Sequence, residues 1–166
     1  MATSDNLQDA FAGESQANRK YLAFAKKADA EGKPQIAKLF RATAEAETVH
    51  AHAHFRVLDG VKGTAENLQA AIEGEGFEFQ QMYPKFVAEA EAEAAGAATA
   101  SFKNAMAVEA IHHGLYSQAL ATFQGGGDMQ SMAIHVCDIC GNTVLGDTPD
   151  KCSVCGAAKD RFHEVT

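Results

Sequence analysis

Glu47-Thr48-Val49-His50 and Glu109-Ala110-Ile111-His112 are the two stretches on which the fold of this chain turns, and they lie 62 positions apart. In a helix, residues i and i+3 share a face, so each Glu can bind the same metal as its His while reaching a neighbouring metal. Each stretch interrupts an apolar stripe of helical period. One stripe begins behind Pro34, a suitable first-turn residue, and carries Ile36, Phe40, Thr43, Glu47, His50, His54 and Val57. Another, over about residues 99–123, carries Phe102, Met106, Glu109, His112, Tyr116 and Leu120. Two further stripes are interrupted by Glu alone. The first, about residues 5–31, carries Leu7, Phe11, Glu14, Ala17, Tyr21, Phe24 and Ala28. The third follows a candidate N-cap at Thr64 and carries Leu68, Ile72, Glu75, Glu78 or Phe79, Met82 and Phe86. Pro84 falls inside that third pattern, where it is expected to bend the helix or divide it in two.

A single Glu-x-x-His carries little information, because surface helices hold that spacing freely. Two of them, each matched by an interrupting Glu on another helix, make the ligand set of a carboxylate-bridged two-metal bundle. Burying so many ionisable groups without a cation would be costly. Glu78 lies three residues beyond Glu75 on the same face and has no counterpart near Gln16 and Ala17. It reads either as a solvated Glu at the edge of the stripe or as a fifth carboxylate that makes the two metals inequivalent. His52, His135 and His163 read as surface residues and His54 as a core histidine. Tyr21, Tyr83 and Tyr116 read as core packing or as hydrogen-bond partners of a ligand.

The chain also repeats itself. Glu47 and Glu109, His50 and His112, Phe40 and Phe102, Tyr21 and Tyr83, and Phe24 and Phe86 share an offset of 62, while Gly13-Glu14 and Gly74-Glu75 match at 61. The pattern reads as two copies of a helix pair related by a pseudo-two-fold. A helix of about 25 residues is roughly 37 Å long. The link at residues 59–63 reaches only about 20 Å when extended. It is too short to run the length of a bundle within one subunit. The helices are therefore expected either to go plainly up and down or to pack, third and fourth, on a partner's first and second.

All four cysteines fall in Cys137-Asp138-Ile139-Cys140-Gly141 and Cys152-Ser153-Val154-Cys155-Gly156. The Gly after each pair lets backbone N–H groups point at sulfur. Four thiolates suit zinc or iron, and spacing does not choose between them. A structural zinc ribbon is the plainer reading; a neighbouring two-metal bundle favours redox-active iron. The segment is too small to fold on a hydrophobic core alone, so a metal has to hold it together. Gln124-Gly125-Gly126-Gly127-Asp128 reads as a helix stop and flexible link. The net charge of −8 argues against a nucleic-acid partner. No stretch approaches the roughly 18–20 apolar residues of a membrane span. Met1-Ala2-Thr3-Ser4-Asp5 lacks the basic start of a secretory leader, and reduced thiolates fit a cytoplasmic setting.

With these residues in view, the chain resembles the rubrerythrins over nearly its whole length. The matching stretches are Phe11 to Ala17, Ile36 to Arg41, Glu47 to His50, Glu66 to Gln69, Glu73-Gly74-Glu75, Met82-Tyr83-Pro84 and Glu109 to His112. The cysteine module and its ending, Cys155-Gly156-Ala157-Ala158-Lys159 and Phe162, match as well. The resemblance implies a mainly α fold: a ferritin-like four-helix bundle over 1–124, a linker over 125–134, and a rubredoxin-like tetracysteine iron domain over 135–166. It implies Glu14, Glu47, His50, Glu75, Glu78, Glu109 and His112 as di-iron ligands, a Glu at the position of Glu78 exchanging with a His like His50 as the iron changes oxidation state. It implies that Pro84 sits within the third helix. Cys137, Cys140, Cys152 and Cys155 would hold a mononuclear iron that passes electrons to the di-iron site across a subunit contact. The implied activity is reduction of hydrogen peroxide to water in oxidative-stress defence. The implied electron donor is a rubredoxin or an NAD(P)H-dependent reductase, and the implied assembly a homodimer, helix-swapped as in compact members.

The chain departs from the family pattern at Ser153 and Ala158, where prolines are common, and at Asn142, where an aromatic residue often follows the first knuckle. These changes bear on the stability or potential of the thiolate iron. Two other readings use the same residues. One is a ferroxidase or iron-handling protein with oxygen as oxidant, and the other a metal-stabilised binding module with zinc in the cysteine site.

Overall fold

A computed structural model describes residues 2–166. The first two helices, α1 (Ala2–Ala30) and α2 (Pro34–Val57), form a tight hairpin. Small side chains line its seam: Ala25, Ala28, Ala37, Ala44 and Ala51 are all buried. Side chains of that size let two backbones approach closely, and Asn18 uses the closeness. Its buried carboxamide donates to the Ala44 carbonyl at 2.6 Å and to Thr48 Oγ1 at 2.8 Å, tying α1 to α2. Gly32 turns the chain at φ +69°, the left-handed region that glycine enters without cost.

Helix α3 (Thr64–Phe77) has its cap one residue earlier than expected. Gly63 occupies the N-cap position, its N–H donating to the Glu66 carboxylate at 3.2 Å, and Thr64 is already helical. Pro84 neither ends nor divides the helix that follows. Having no N–H, it cannot donate to the carbonyl four residues back. The backbone widens just before it into a π-turn over Glu78–Met82, in which the Tyr83 N–H reaches the Glu78 carbonyl. Helix α4 (Tyr83–Ala92) continues directly from that turn.

The π-turn explains why the sequence repeat changes offset. Glu14 and Tyr21 are seven positions apart, whereas Glu75 and Tyr83 are eight. A π-turn takes up one extra residue without breaking the helix. The ligand before it and the aromatics after it thus keep the relationship they have in α1. Helix α5 (Gly96–Gln124) completes the second hairpin. Tyr21–Phe24, Tyr21–Phe40 and Phe24–Phe40 have ring centroids 6.3, 6.2 and 5.6 Å apart. Their counterparts Tyr83–Phe86, Tyr83–Phe102 and Phe86–Phe102 lie at 6.1, 6.3 and 5.6 Å. The two helix pairs repeat each other in side-chain geometry as well as in sequence.

After α5 the chain enters a small antiparallel sheet of β1 (Ile134–Cys137), β2 (Thr143–Leu145) and β3 (Phe162–Glu164), in the order β2-β1-β3. His135 pairs with Val144 on one side of β1 and with Glu164 on the other. The sheet rests on α5: Gly141 lies over the buried Val108, whose Cγ1 would touch a Cβ at that position. The chain divides into two compact units, the first ending at Lys62 and the second spanning Gly63–Thr166. The first holds α1 and α2; the second holds α3 to α5 and the sheet. Among the described residues no helix is long and apolar enough to cross a membrane.

If the π-turn accommodates a single inserted residue, deleting Gln80 will leave a helical, cooperatively unfolding protein. Deleting Gln16, at the corresponding place in α1, will turn Glu14 by about 100° relative to Tyr21 and its partners. Circular dichroism with thermal melts of both variants checks this. Equal loss of stability in the two would contradict it.

Candidate metal centres

The first helix pair carries three of the predicted ligands and the second pair four. In the first unit Glu14 on α1 and Glu47 and His50 on α2 each place a ligand atom within 4.8 Å of the others. Glu47 Oε2 and His50 Nδ1 are 3.0 Å apart. In the second unit Glu75 on α3 and Glu109 and His112 on α5 form the same arrangement. There His112 Nδ1 lies 2.9 Å from Glu109 Oε2 and 4.0 Å from Glu75 Oε2. The expected i,i+3 pairing is therefore realised twice, with the Nδ1 nitrogen on the carboxylate side each time.

Electrostatics in the second group fit a cation. Burial pushes the Glu75 carboxyl up to about 7, helped by a hydrogen bond with Glu109 and by that residue's charge. Two carboxyls this close share a proton unless a positive ion takes its place. Glu78, the first residue of the π-turn, is not within the 4.8 Å group. Its carboxyl is nevertheless raised, by burial and then by the charge of Glu109. The Tyr83 hydroxyl is raised too, by burial and then by Glu78, Glu109 and Glu75. The Tyr83 ring packs with Phe86 and Phe102.

The outer nitrogen of His112 is held from the cysteine module. Its Nε2 lies 2.9 Å from Thr143 Oγ1 on β2, and that hydroxyl donates in turn to the Gly141 carbonyl at 3.3 Å. With a metal ion on Nδ1, Nε2 would carry the ring proton and donate it to Thr143 Oγ1, whose own hydrogen is given to Gly141. A partner on the second ring nitrogen fixes the tautomer and orientation of a metal-binding imidazole.

Cys137, Cys140, Cys152 and Cys155 converge as the spacing predicts. The Cys137–Cys155 and Cys140–Cys152 sulfurs are 3.8 and 3.6 Å apart. A disulfide would need about 2.05 Å, whereas a tetrahedral metal with bonds of about 2.3 Å sets sulfurs roughly 3.75 Å apart. The donor set fits a tetrathiolate metal ion. The two knuckles repeat each other: the Gly141 N–H donates to the Cys137 carbonyl at 2.8 Å and the Gly156 N–H to the Cys152 carbonyl at 2.9 Å. Gly141 and Gly156 sit at φ +84° and +74°, which the turn requires. Burial opposes ionisation of Cys152, but hydrogen bonds from the Cys155 and Val154 backbone, Cys140 and Asn142 bring its thiol down to about 6.

Comparison with known proteins accounts for both sites at once. The rubrerythrin family profile matches residues 5–120, and that of the rubrerythrin rubredoxin-like domain matches residues 135–163. The chain belongs to the rubrerythrin family. It is 33% identical to rubrerythrin-2 of Clostridium acetobutylicum over 97% of this chain and 95% of that one. It is 36% identical to a rubrerythrin of Porphyromonas gingivalis over 98% and 90%. Nigerythrin of Nitratidesulfovibrio vulgaris is 34% identical, over 97% and 85%. Among solved structures, nigerythrin in a fully reduced, all-ferrous state aligns with a TM-score of 0.59 at 32% identity, covering 98% of this chain and 86% of that one. The fold is accordingly that of a ferritin-like helical domain followed by a rubredoxin-like module.

Several residues at these rubrerythrin-type sites carried no signal of their own. Thr143 is 31 positions from His112, and only the folded chain brings them together. Asn18 follows Glu14 by four, a same-face spacing that was legible but indistinguishable from an ordinary polar position. His135 is half-buried rather than surface-exposed, and its Nδ1 has no hydrogen-bond partner. His163 is exposed, its Nδ1 2.7 Å from Asp138 Oδ1.

Stripping metal from the four cysteines should unfold the sheet while leaving the helices intact. Amide chemical shifts before and after chelation check this: residues 134–164 lose dispersion, and the His112 ring signals move as Thr143 departs. A sheet that keeps its dispersion would show that metal does not hold it.

Proposed function

We propose that this chain is an oxidoreductase that reduces hydrogen peroxide to water at a di-iron site, with electrons arriving through a tetrathiolate iron. The observation that carries the reading is the 2.9 Å contact between His112 Nε2 and Thr143 Oγ1. A site that only stored or oxidised iron has no need of a thiolate module resting on one of its ligands. In this proposal Glu14, Glu47, His50, Glu75, Glu78, Glu109 and His112 hold the two irons, and Cys137, Cys140, Cys152 and Cys155 hold the third. Residues 1–124 form the di-iron domain, 125–134 the link and 135–166 the electron-transfer domain.

When bound, the irons supply Lewis acidity and the electrons for O–O cleavage, replenished singly from the thiolate site. The side chains orient the substrate and manage its protons. Each peroxide takes up two electrons and two protons to give two waters. In this reading Glu78, a carboxylate without a counterpart in α1 whose carboxyl is raised by burial and by the charge of Glu109, passes a proton to the departing oxygen. Thr143 keeps the His112 ring fixed and joins it to the first knuckle. A rubredoxin or NAD(P)H-dependent reductase supplies the electrons.

Two experiments test the reading. In stopped flow, the iron-loaded, reduced protein should react faster with peroxide than with oxygen, and the reverse order would favour a ferroxidase. Glu78→Ala should retain its iron yet lose roughly 100-fold or more in peroxide turnover, the scale of general acid catalysis. Unchanged turnover would remove its role.

The proposed assembly is a homodimer in which the first helix pair of one copy and the second pair of the other complete each site. The short link after α2 supports it. Co-expressing Glu47→Ala with Glu109→Ala gives mixed dimers that regain one intact site if the helices are swapped. Mixed dimers with no intact site would show that they are not.

A further inference from the structure

We infer that the Asn142 carboxamide is a hydrogen-bond donor to sulfur that raises the reduction potential of the tetrathiolate iron. The inference rests on the iron reading above and goes beyond it by assigning a tuning role to a residue outside the ligand set.

The internal symmetry of the module isolates the feature. Cys137-x-x-Cys140-Gly141-Asn142 and Cys152-x-x-Cys155-Gly156-Ala157 are equivalent knuckles. The Cys137 N–H donates to the Asn142 carbonyl at 3.0 Å, and the Cys152 N–H donates to the Ala157 carbonyl at 2.7 Å. The backbone N–H of Asn142 reaches the Cys140 sulfur as that of Ala157 reaches the Cys155 sulfur. The backbones match donor for donor, and the side chains do not. Asn142 Nδ2 lies 3.6 Å from Cys152 Sγ and 3.4 Å from Ser153 Oγ. Ala157 has nothing to offer at the equivalent place.

Asn142 is only 2% exposed and Cys152 only 3%, so the contact lies away from water, where a hydrogen bond is electrostatically stronger. A metal-bound sulfur carries no proton to give, which requires the amide nitrogen, and not the oxygen, to face it. The four thiolates and iron together are one charge unit more negative in the reduced state. A donor aimed at sulfur therefore stabilises the reduced state more and raises the potential. Ser153 and Asn142, two of the positions where this chain departs from the resemblance pattern, touch each other. The hydroxyl accepts from the same amide and helps hold it in place.

The test uses the full-length, iron-loaded protein. Spectroelectrochemical titration of the ferric tetrathiolate absorption should give a lower midpoint potential for Asn142→Leu than for wild type. An Asn142→Leu protein with an intact spectrum and an unchanged potential would overturn the inference. A second measurement does not depend on that variant folding. In cadmium-113-loaded wild type, the Asn142 side-chain amide protons should show scalar coupling to the metal through the Cys152 sulfur. Couplings confined to backbone amides would overturn it as well. A wild-type protein without ferric tetrathiolate absorption would dispose of the relay reading, while the cadmium couplings would still decide whether Asn142 donates to sulfur.

Discussion

Within each helix pair, two carboxylates and an imidazole bring their ligand atoms within 4.8 Å of one another on apolar helix faces. Ionisable groups gathered in this way demand a cation or a shared proton, and the helices have to deliver them from three positions at once. The tight α1–α2 seam follows from that demand. Alanines along it let Glu14 approach Glu47 and His50, and Asn18 locks the two backbones one turn away. Larger side chains along the seam would hold the ligands apart. The second pair solves the same problem with a first helix of the same overall length that contains a π-turn.

That π-turn is where the duplication becomes asymmetric. A strict copy of α1 would leave two equivalent ligand groups. The extra residue between Glu75 and Tyr83 is absorbed by a wider turn, with Pro84 just after it, where the missing N–H suits a disturbed ladder. The segment it creates begins with Glu78, the carboxylate that the first helix lacks. Aromatic trios with nearly the same centroid spacings in the two helix pairs show that the insertion was contained locally.

The cysteine module depends on a different balance. Its three short strands enclose little apolar volume, and the four sulfurs stand at the separations a tetrahedral metal imposes. Val108 and His112, less than two turns apart on α5, receive Gly141 and Thr143. The same few residues that close the first knuckle therefore contact the helix carrying the ligands. The cysteine module and α5 meet at this patch, in which a glycine permits close approach and a hydroxyl supplies the hydrogen bond.

The helices, their ligand faces and the two metal-binding classes were legible because each rests on a short-range rule. Three-residue spacing on a helix and two-residue gaps between cysteines need no knowledge of the rest of the fold. The change of offset from 61 to 62 was visible too, but a helical period of 3.6 gives no account of it until a π-turn is seen. Thr143 on His112 and Asn142 on Cys152 belong to tertiary structure alone. Both contacts depend on how separate segments lie against each other, and hydroxyl and amide side chains are too common to mark such places in a sequence. The paired Glu-x-x-His motifs and the cysteine knuckles thus settled which atoms could bind metal. Only the folded chain decided which neighbours orient those atoms, because burial and hydrogen bonding arise between residues far apart along it.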